Sequence, residues 1–307
     1  MTHGLYDSPF ITRDIARHLL NRGFLVMCVL LPGHGTVPGD LLDIRYHEWV
    51  RAVDYGVEQI KQQAEQVYYA GFSMGATLML HHAARNPNIN ALLLFAPALQ
   101  LRADPIVTLL PFLKLIDWSS EKLKWYRRIP QQDQVKYSSF PFNGPYQIHC
   151  LIKEQDKLLA KKPFTTPIFL TMSSDDELIV PGAAVNLLAQ NNNPHSKLLL
   201  YSNQTLTEIS SDTRIEQRCS HFADLKIINF SHNCMAVAPD NPLYGSNSGF
   251  QDFLHYPGNK PLMSDKEVLL GSIRPENLVR ANMQRLSYNP DFAYMMQAMD
   301  TFLDQIL

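Results

Sequence analysis

The sequence predicts an α/β protein with a mainly parallel sheet, helices on both faces and an inserted cap. Three observations predict it. Helix-like and strand-like stretches alternate up to Leu99. The strand-like stretches are short, continuous apolar runs, which suit parallel strands buried on both faces. The alternation stops near Leu99 and resumes at Pro167, so the stretch between reads as an insertion. Successive β-α-β units in one sheet imply right-handed crossovers.

Taken in order, Ser8-Pro9 opens a helical pattern through Ile11, Ile15, Ala16, Leu19 and Leu20 that ends near Gly23. Residues 24–31 are a continuous apolar run stopped by Pro32-Gly33 and read as a buried strand, with Cys28 in the core. Trp49, Val53, Val57 and Ile60 recur at helical spacing. Residues 67–72 read as a strand, 76–84 as a helix and 91–96 as another buried strand. Residues 99–162 are rich in aromatics, Leu and Pro and form the expected cap, leaving 1–98 and 163–307 as the core. Strand, helix and strand follow at 167–172, 182–189 and 198–201, then an excursion at 203–224 and an apolar run at 225–230. The last helix is 292–307, with Met295, Met296, Met299 and Phe302 inward.

Composition narrows the function classes. Of 307 residues, 46% are apolar and 18% charged, which supports a large core and argues against disorder. A net charge of -2, with Arg127-Arg128 and Lys161-Lys162 as isolated basic pairs, argues against nucleic-acid binding. The longest apolar run is too short for a membrane span. Residues 1–4 lack the features of a signal peptide, so a cytoplasmic location is the default, and a secreted one follows if a leader precedes Met1. Cys28, Cys150, Cys219 and Cys234 form no metal-ligand pattern, and spacing alone does not show whether Cys219 and Cys234 pair. No cofactor or metal is expected.

Gly71-Phe72-Ser73-Met74-Gly75 is a G-x-S-x-G motif between an apolar run and a helix-like stretch. Nucleophilic serine chemistry needs that setting. A sharp strand-to-helix turn presents the hydroxyl, and small neighbours allow the backbone to approach closely. The helix start then points its positive end at a developing oxyanion. A plain helix-capping serine is the alternative. Met74, directly after the nucleophile, supplies one backbone N–H donor.

With Ser73 placed, other motifs fall into order. His3-Gly4-Leu5-Tyr6-Asp7-Ser8-Pro9 resembles the HGxxxSP segment of carboxylesterases and monoacylglycerol-lipase-like α/β hydrolases, and Pro32-Gly33-His34-Gly35-Thr36 resembles their PGHG loop. The stretch from Phe230-Ser231-His232 to Asn241-Pro242, with Tyr244-Gly245, is similar to a bacterial lysophospholipase/esterase-like branch. The resemblance implies the α/β-hydrolase fold, a second oxyanion donor at Leu5, and strands ahead of His3, for which Met1 and Thr2 leave no room. His34 is expected to hold its loop, and at least one of His81 and His82 to face solvent.

On this fold the acid follows the serine and the histidine comes last. Asp175, Asp176 and Glu177 compete for the acid; the family's acid-to-apolar spacing favours Asp176, before Ile179. His232 closes the apolar run and carries the family match, with His221 as its rival. The implied activity is ester hydrolysis through Ser73, Asp176 and His232, with Leu5 and Met74 as oxyanion hole, on a small-molecule ester or lipid. An acyltransferase or thioesterase would use the same residues, and a catalytically silent interaction protein would keep the fold without the chemistry.

Overall fold

A computed structural model describes residues 1–86, 89–102, 124–161, 164–204, 212–256 and 266–307. The chain divides into two compact units, Met1–Thr166 and Pro167–Leu307. The apolar cap segments at 109–113 and 115–118, with Lys114 and Lys122, lie outside the described residues.

The first unit is built on β1 (Tyr68–Phe72) and β2 (Ala91–Phe95), parallel and in register from Tyr68 opposite Ala91 to Phe72 opposite Phe95. Every residue of β2 is buried, as a continuous apolar run requires. Thr2 serves as a single-residue strand on the other edge of β1. Its N–H donates to the Ala70 carbonyl and its carbonyl accepts from Phe72 N–H, both at 3.1 Å. A 3₁₀ turn at Pro9–Thr12 leads into α1 (Arg13–Asn21), which stops before Gly23 at φ +89°. In α2 (Tyr46–Lys61), Trp49, Val53 and Val57 are buried. β1 feeds directly into α3 (Met74–Arg85). A short antiparallel pair, β3 (Trp125–Arg127) and β4 (Phe140–Pro141), precedes α4 (Asn143–Leu159). Helix α4 packs on α3 and α2.

Two expectations fail in this unit. Residues 24–31 are not a buried strand. Thr2 meets them in an isolated bridge at Val29, and among the described residues no strand pairs along the run. Leu25 and Leu30 are therefore 56% and 50% exposed, and Cys28 is exposed rather than in the core. Hydrophobicity alone did not supply a pairing partner. His81 and His82 are both buried, because neighbouring helices cover both faces of α3. His81 Nε2 lies 3.6 Å from Glu154 on α4, and His82 Nδ1 lies 2.6 Å from Asp54 on α2.

The second unit holds three parallel strands, β5 (Ile168–Ser173), β6 (Lys197–Tyr201) and β7 (Ile215–Arg218). Helix α5 (Gly182–Gln190) packs on β5 and β6. A second parallel pair, β8 (Val268–Gly271) and β9 (Asn282–Arg285), flanks the short helix α6 (Pro275–Leu278). The final helix, α7 (Phe292–Asp304), rests on β6 with Met295, Met296, Met299 and Phe302 buried, as its spacing predicts. Each such side chain removed from water contributes roughly 1.5–3 kcal/mol. Strand β7 corrects the reading of 203–224 as an excursion. Its residues Ile-Glu-Gln-Arg are mostly polar and only partly buried at the end of the three-strand order, so no apolar run announced it. Conversely, among the described residues 225–230 pairs as no regular strand: it starts in a 3₁₀ turn, and Ile227 makes isolated bridges to Phe222 and Leu270. Among the described residues, no helix is long and apolar enough to cross a membrane.

Candidate active site

Ser73 occupies the turn between β1 and α3 with its backbone at φ +54°, ψ −121°. For a residue with a side chain this conformation costs about 1–3 kcal/mol and persists only when its surroundings impose it. They do so here. Ser73 N–H donates to the Phe95 carbonyl at 2.9 Å, and the Ser73 carbonyl accepts from Thr77 and Ala98 N–H, each at 3.2 Å. The motif's glycines make the turn sterically possible. A Cβ on Gly71 would come within 2.5 Å of the Ala76 nitrogen, and one on Gly75 would run into the Thr2 carbonyl. Met74 is the first residue of α3, so its N–H has no intrahelical acceptor and sits at the positive end of the helix.

The loop after Thr2 is held by two buried histidines. His3 Nδ1–H donates to the Gly4 carbonyl at 2.8 Å, and its Nε2 accepts from Leu31 N–H at 3.1 Å. His34 Nδ1–H donates to the Pro32 carbonyl, and its Nε2 accepts from Tyr6 N–H, both at 3.1 Å. These tautomers are the ones the bonding pattern requires. Burial favours the neutral rings, pushing His3 down to about 3, helped by neighbouring His34, and His34 down to about 4. Tyr6 takes up a left-handed φ of +63°. Its carbonyl accepts from Tyr137 N–H at 2.8 Å and its hydroxyl donates to the Pro141 carbonyl at 2.5 Å. The Tyr6 amide is thus engaged. The amides of Leu5 and Met74 have no acceptor among the described residues.

In the second unit, Asp176 follows β5 and is fully buried. Its Oδ1 accepts from Leu178 and Ile179 N–H, each at 2.8 Å, and its Oδ2 lies 2.6 Å from His232 Nδ1. The first two bonds lock the carboxylate, and in the third it accepts from His232 Nδ1–H, leaving Nε2 as the ring's acceptor. Asp175 is half-buried and faces Arg274 at 3.6 Å instead. The side chain of Glu177 is buried, and its Oε2 accepts from His232 N–H at 3.0 Å. His221 is exposed, and its N–H donates to Cys219 Sγ at 3.4 Å. Among the described residues, no group of three His, Cys, Asp or Glu side chains is placed to hold a metal ion.

Residues 1–205, two thirds of the chain, match the Hydrolase_4 family, described as Serine aminopeptidase, S33. The chain belongs to that family. This S33-family hydrolase is 26% identical over 188 residues to a thermostable monoacylglycerol lipase of Bacillus sp. (strain H-257), which spans 60% of this chain and 72% of the relative. Among solved structures, it resembles that of the metagenome-derived lipolytic enzymes LipS and LipT, at 18% identity and a TM-score of 0.57, over 66% of this chain and 82% of that one. A monoacylglycerol lipase of Paleococcus ferrophilus is similar at 19% identity and a TM-score of 0.53, again over 66% and 82% of the two chains. These likenesses, with the parallel strands and flanking helices, make the fold that of an α/β hydrolase.

In this S33-family hydrolase, Ser73, Leu5 and Met74 lie in the first unit, and Asp176 and His232 pair in the second. The family match contains Ser73 and Asp176 and ends before His232. Sequence reasoning overlooked Tyr6, Tyr137 and Arg285. Tyr6 sits inside a recognised motif, but a left-handed non-glycine residue has no sequence signature. Arg285 reaches Glu177 across 108 positions (285 minus 177), with nothing local to mark it.

Proposed function

We propose that this chain is a carboxylic-ester hydrolase in which Ser73 is the nucleophile, His232 the general base and Asp176 the acid that orients it. His232 Nε2 takes the Ser73 proton as Oγ attacks the ester carbonyl. The amides of Leu5 and Met74 receive the oxyanion, His232 returns the proton to the departing alcohol, and an acyl-enzyme remains. Water, deprotonated by the same histidine, attacks the acyl carbon; carboxylic acid leaves and Ser73 is restored. The observation that carries this reading is the backbone of Ser73, held at φ +54° at the head of α3. A serine kept only to cap a helix has no need of that strain.

Two supports bear on substrate. The Bacillus relative is named a monoacylglycerol lipase. By sequence, residues 99–162 are the expected cap, rich in aromatics, Leu and Pro; its apolar stretches at 109–113 and 115–118 lie outside the described residues, and their composition favours an apolar acyl group. Each buried methylene is worth about 0.8 kcal/mol, so chain length alters kcat/KM strongly where a pocket continues. Uncharged esters of medium acyl length, roughly butyrate to decanoate, are the expected substrates. The family description names an aminopeptidase, so the decisive panel sets graded p-nitrophenyl esters beside aminoacyl p-nitroanilides. Medium-chain esters should win by kcat/KM, and a fluorophosphonate should label Ser73. Better turnover of the anilides, or a preference falling steadily from acetate, would overturn the substrate assignment; absence of label would overturn the nucleophile.

A further inference from the structure

The carboxylate after Asp176 is also buried, and it grips the same histidine from behind. Asp176 Oδ2 takes the ring of His232 at 2.6 Å, while Glu177 Oε2 accepts the backbone N–H of His232 at 3.0 Å. Glu177 Oε1 lies 3.0 Å from Arg285 Nε at the end of β9, a charge contact rather than an aligned hydrogen bond. The next residue on β9's side joins in: the Ser231 hydroxyl donates to the Leu286 carbonyl at 2.6 Å. The side chain of Glu177 is 5% exposed and that of Arg285 18%.

A neutral carbonyl would satisfy one backbone N–H just as well. Burying a carboxylate beside another carboxylate instead carries a heavy desolvation cost. Burial pushes Glu177 upward, and Arg285 is the main opposing influence. Among the described residues, the other ionisable groups facing Glu177 are Asp176, His232 and the buried Cys234 thiol, with Asp252 behind Arg285 at 3.7 Å. The charge matters when the imidazole becomes positive. An anion beside it favours that state, and a cation beside the anion tempers the effect.

We propose that Glu177, balanced by Arg285, is a positioning residue for His232: it anchors the histidine backbone and, through its charge, tunes how readily the imidazole carries a proton. The inference rests on the reading of His232 as the base. The two charges act in opposite directions, which separates this role from simple packing.

The test is the pH dependence of kcat/KM for the intact chain and four variants, with His232 ring titration followed by NMR as a readout independent of turnover. Glu177→Gln keeps an oxygen for the His232 N–H and should move the acid limb, and the ring titration, down by about one pH unit. Arg285→Met should move both up by a similar amount, Arg285→Lys should restore the wild-type position, and the double variant Glu177→Gln/Arg285→Met should return near it. Coincident profiles in wild type and Glu177→Gln, with only stability or kcat reduced, would overturn the proposal even if Arg285→Met does not fold. Fluorophosphonate labelling of wild-type Ser73 keeps the two readings apart. Label without a pH shift sinks this proposal alone; a pH shift in the ring titration without label sinks the nucleophile and leaves the brace standing.

Discussion

The proposed nucleophile, Ser73, and the proposed base, His232, are held by different means. In the first unit the parts are backbone: the Ser73 turn at φ +54°, two glycines without room for a Cβ, and the amides of Leu5 and Met74. In the second unit the parts are side chains: Asp176 and Glu177 both hold His232, from 56 and 55 positions away. A backbone site is dictated by local sterics and leaves a local motif. A side-chain network is assembled by the fold from distant residues and leaves a much weaker trace.

If both ends serve one reaction, removing either should be equally severe. Ser73→Ala and His232→Ala should each lower kcat on the order of 10⁶-fold, and the double variant should be little worse than either, because triad members act as a unit. The circular dichroism of the variants should stay native. Turnover within tenfold of wild type in Ser73→Ala, or a dead His221→Ala beside an active His232→Ala, would break the pairing of the two ends.

A smaller effect sharpens the account of the second unit. Asp176→Asn should lower kcat by about 10⁴-fold, since an amide favours the wrong imidazole tautomer and cannot stabilise the imidazolium. Asp175→Asn should change it only a few-fold, because Asp175 is turned toward Arg274. Equal losses in steady-state kinetics would mean that the 2.6 Å contact does not decide the orientation of the base.

The smallest effect belongs to the first unit and concerns stability rather than rate. His3 and His34 are held down to about 3 and about 4, below the ordinary 6.5. Their neutral forms are the ones that bond, so their contribution is complete above pH 6.5. It is lost as pH falls from there toward 4, because the unfolded chain takes up protons that the folded one refuses. At about 1.4 kcal/mol per unit, His34 accounts for roughly 3 kcal/mol of acid sensitivity. His34→Gln should be less stable than wild type at pH 8 and lose less between pH 6.5 and 4, as read from chemical denaturation midpoints. Parallel pH curves for the two proteins would show that the loop does not depend on a neutral ring.

Legibility in the sequence follows the same divide. Strands β1, β2, β5 and β6 and the helices around them were readable because each is a continuous apolar run or a helical stripe. The run at 24–31 has the same composition and is not a strand, since a strand exists only through a partner edge, and here Thr2 offers a single residue. Strand β7 is the converse: Ile215–Arg218 pairs fully with β6 while carrying Glu, Gln and Arg. The expectation that at least one of His81 and His82 faces solvent fails because α3 is covered by α4 and α2 on faces that its own sequence cannot distinguish from solvent.

The sequence by itself determined the α/β alternation, the Ser73 elbow and the short field of candidates, Asp175, Asp176 and Glu177 for the acid and His221 and His232 for the base. Those are consequences of steric demands and periodicities that act over a few residues. Only the tertiary structure decided that Asp176 turns onto the His232 ring, that Asp175 turns to Arg274, and that Glu177 takes the histidine backbone with Arg285 beside it. Three consecutive carboxylates are chemically alike as a string. Burial and the distant partners that folding brings to 2.6, 3.0 and 3.6 Å make them different.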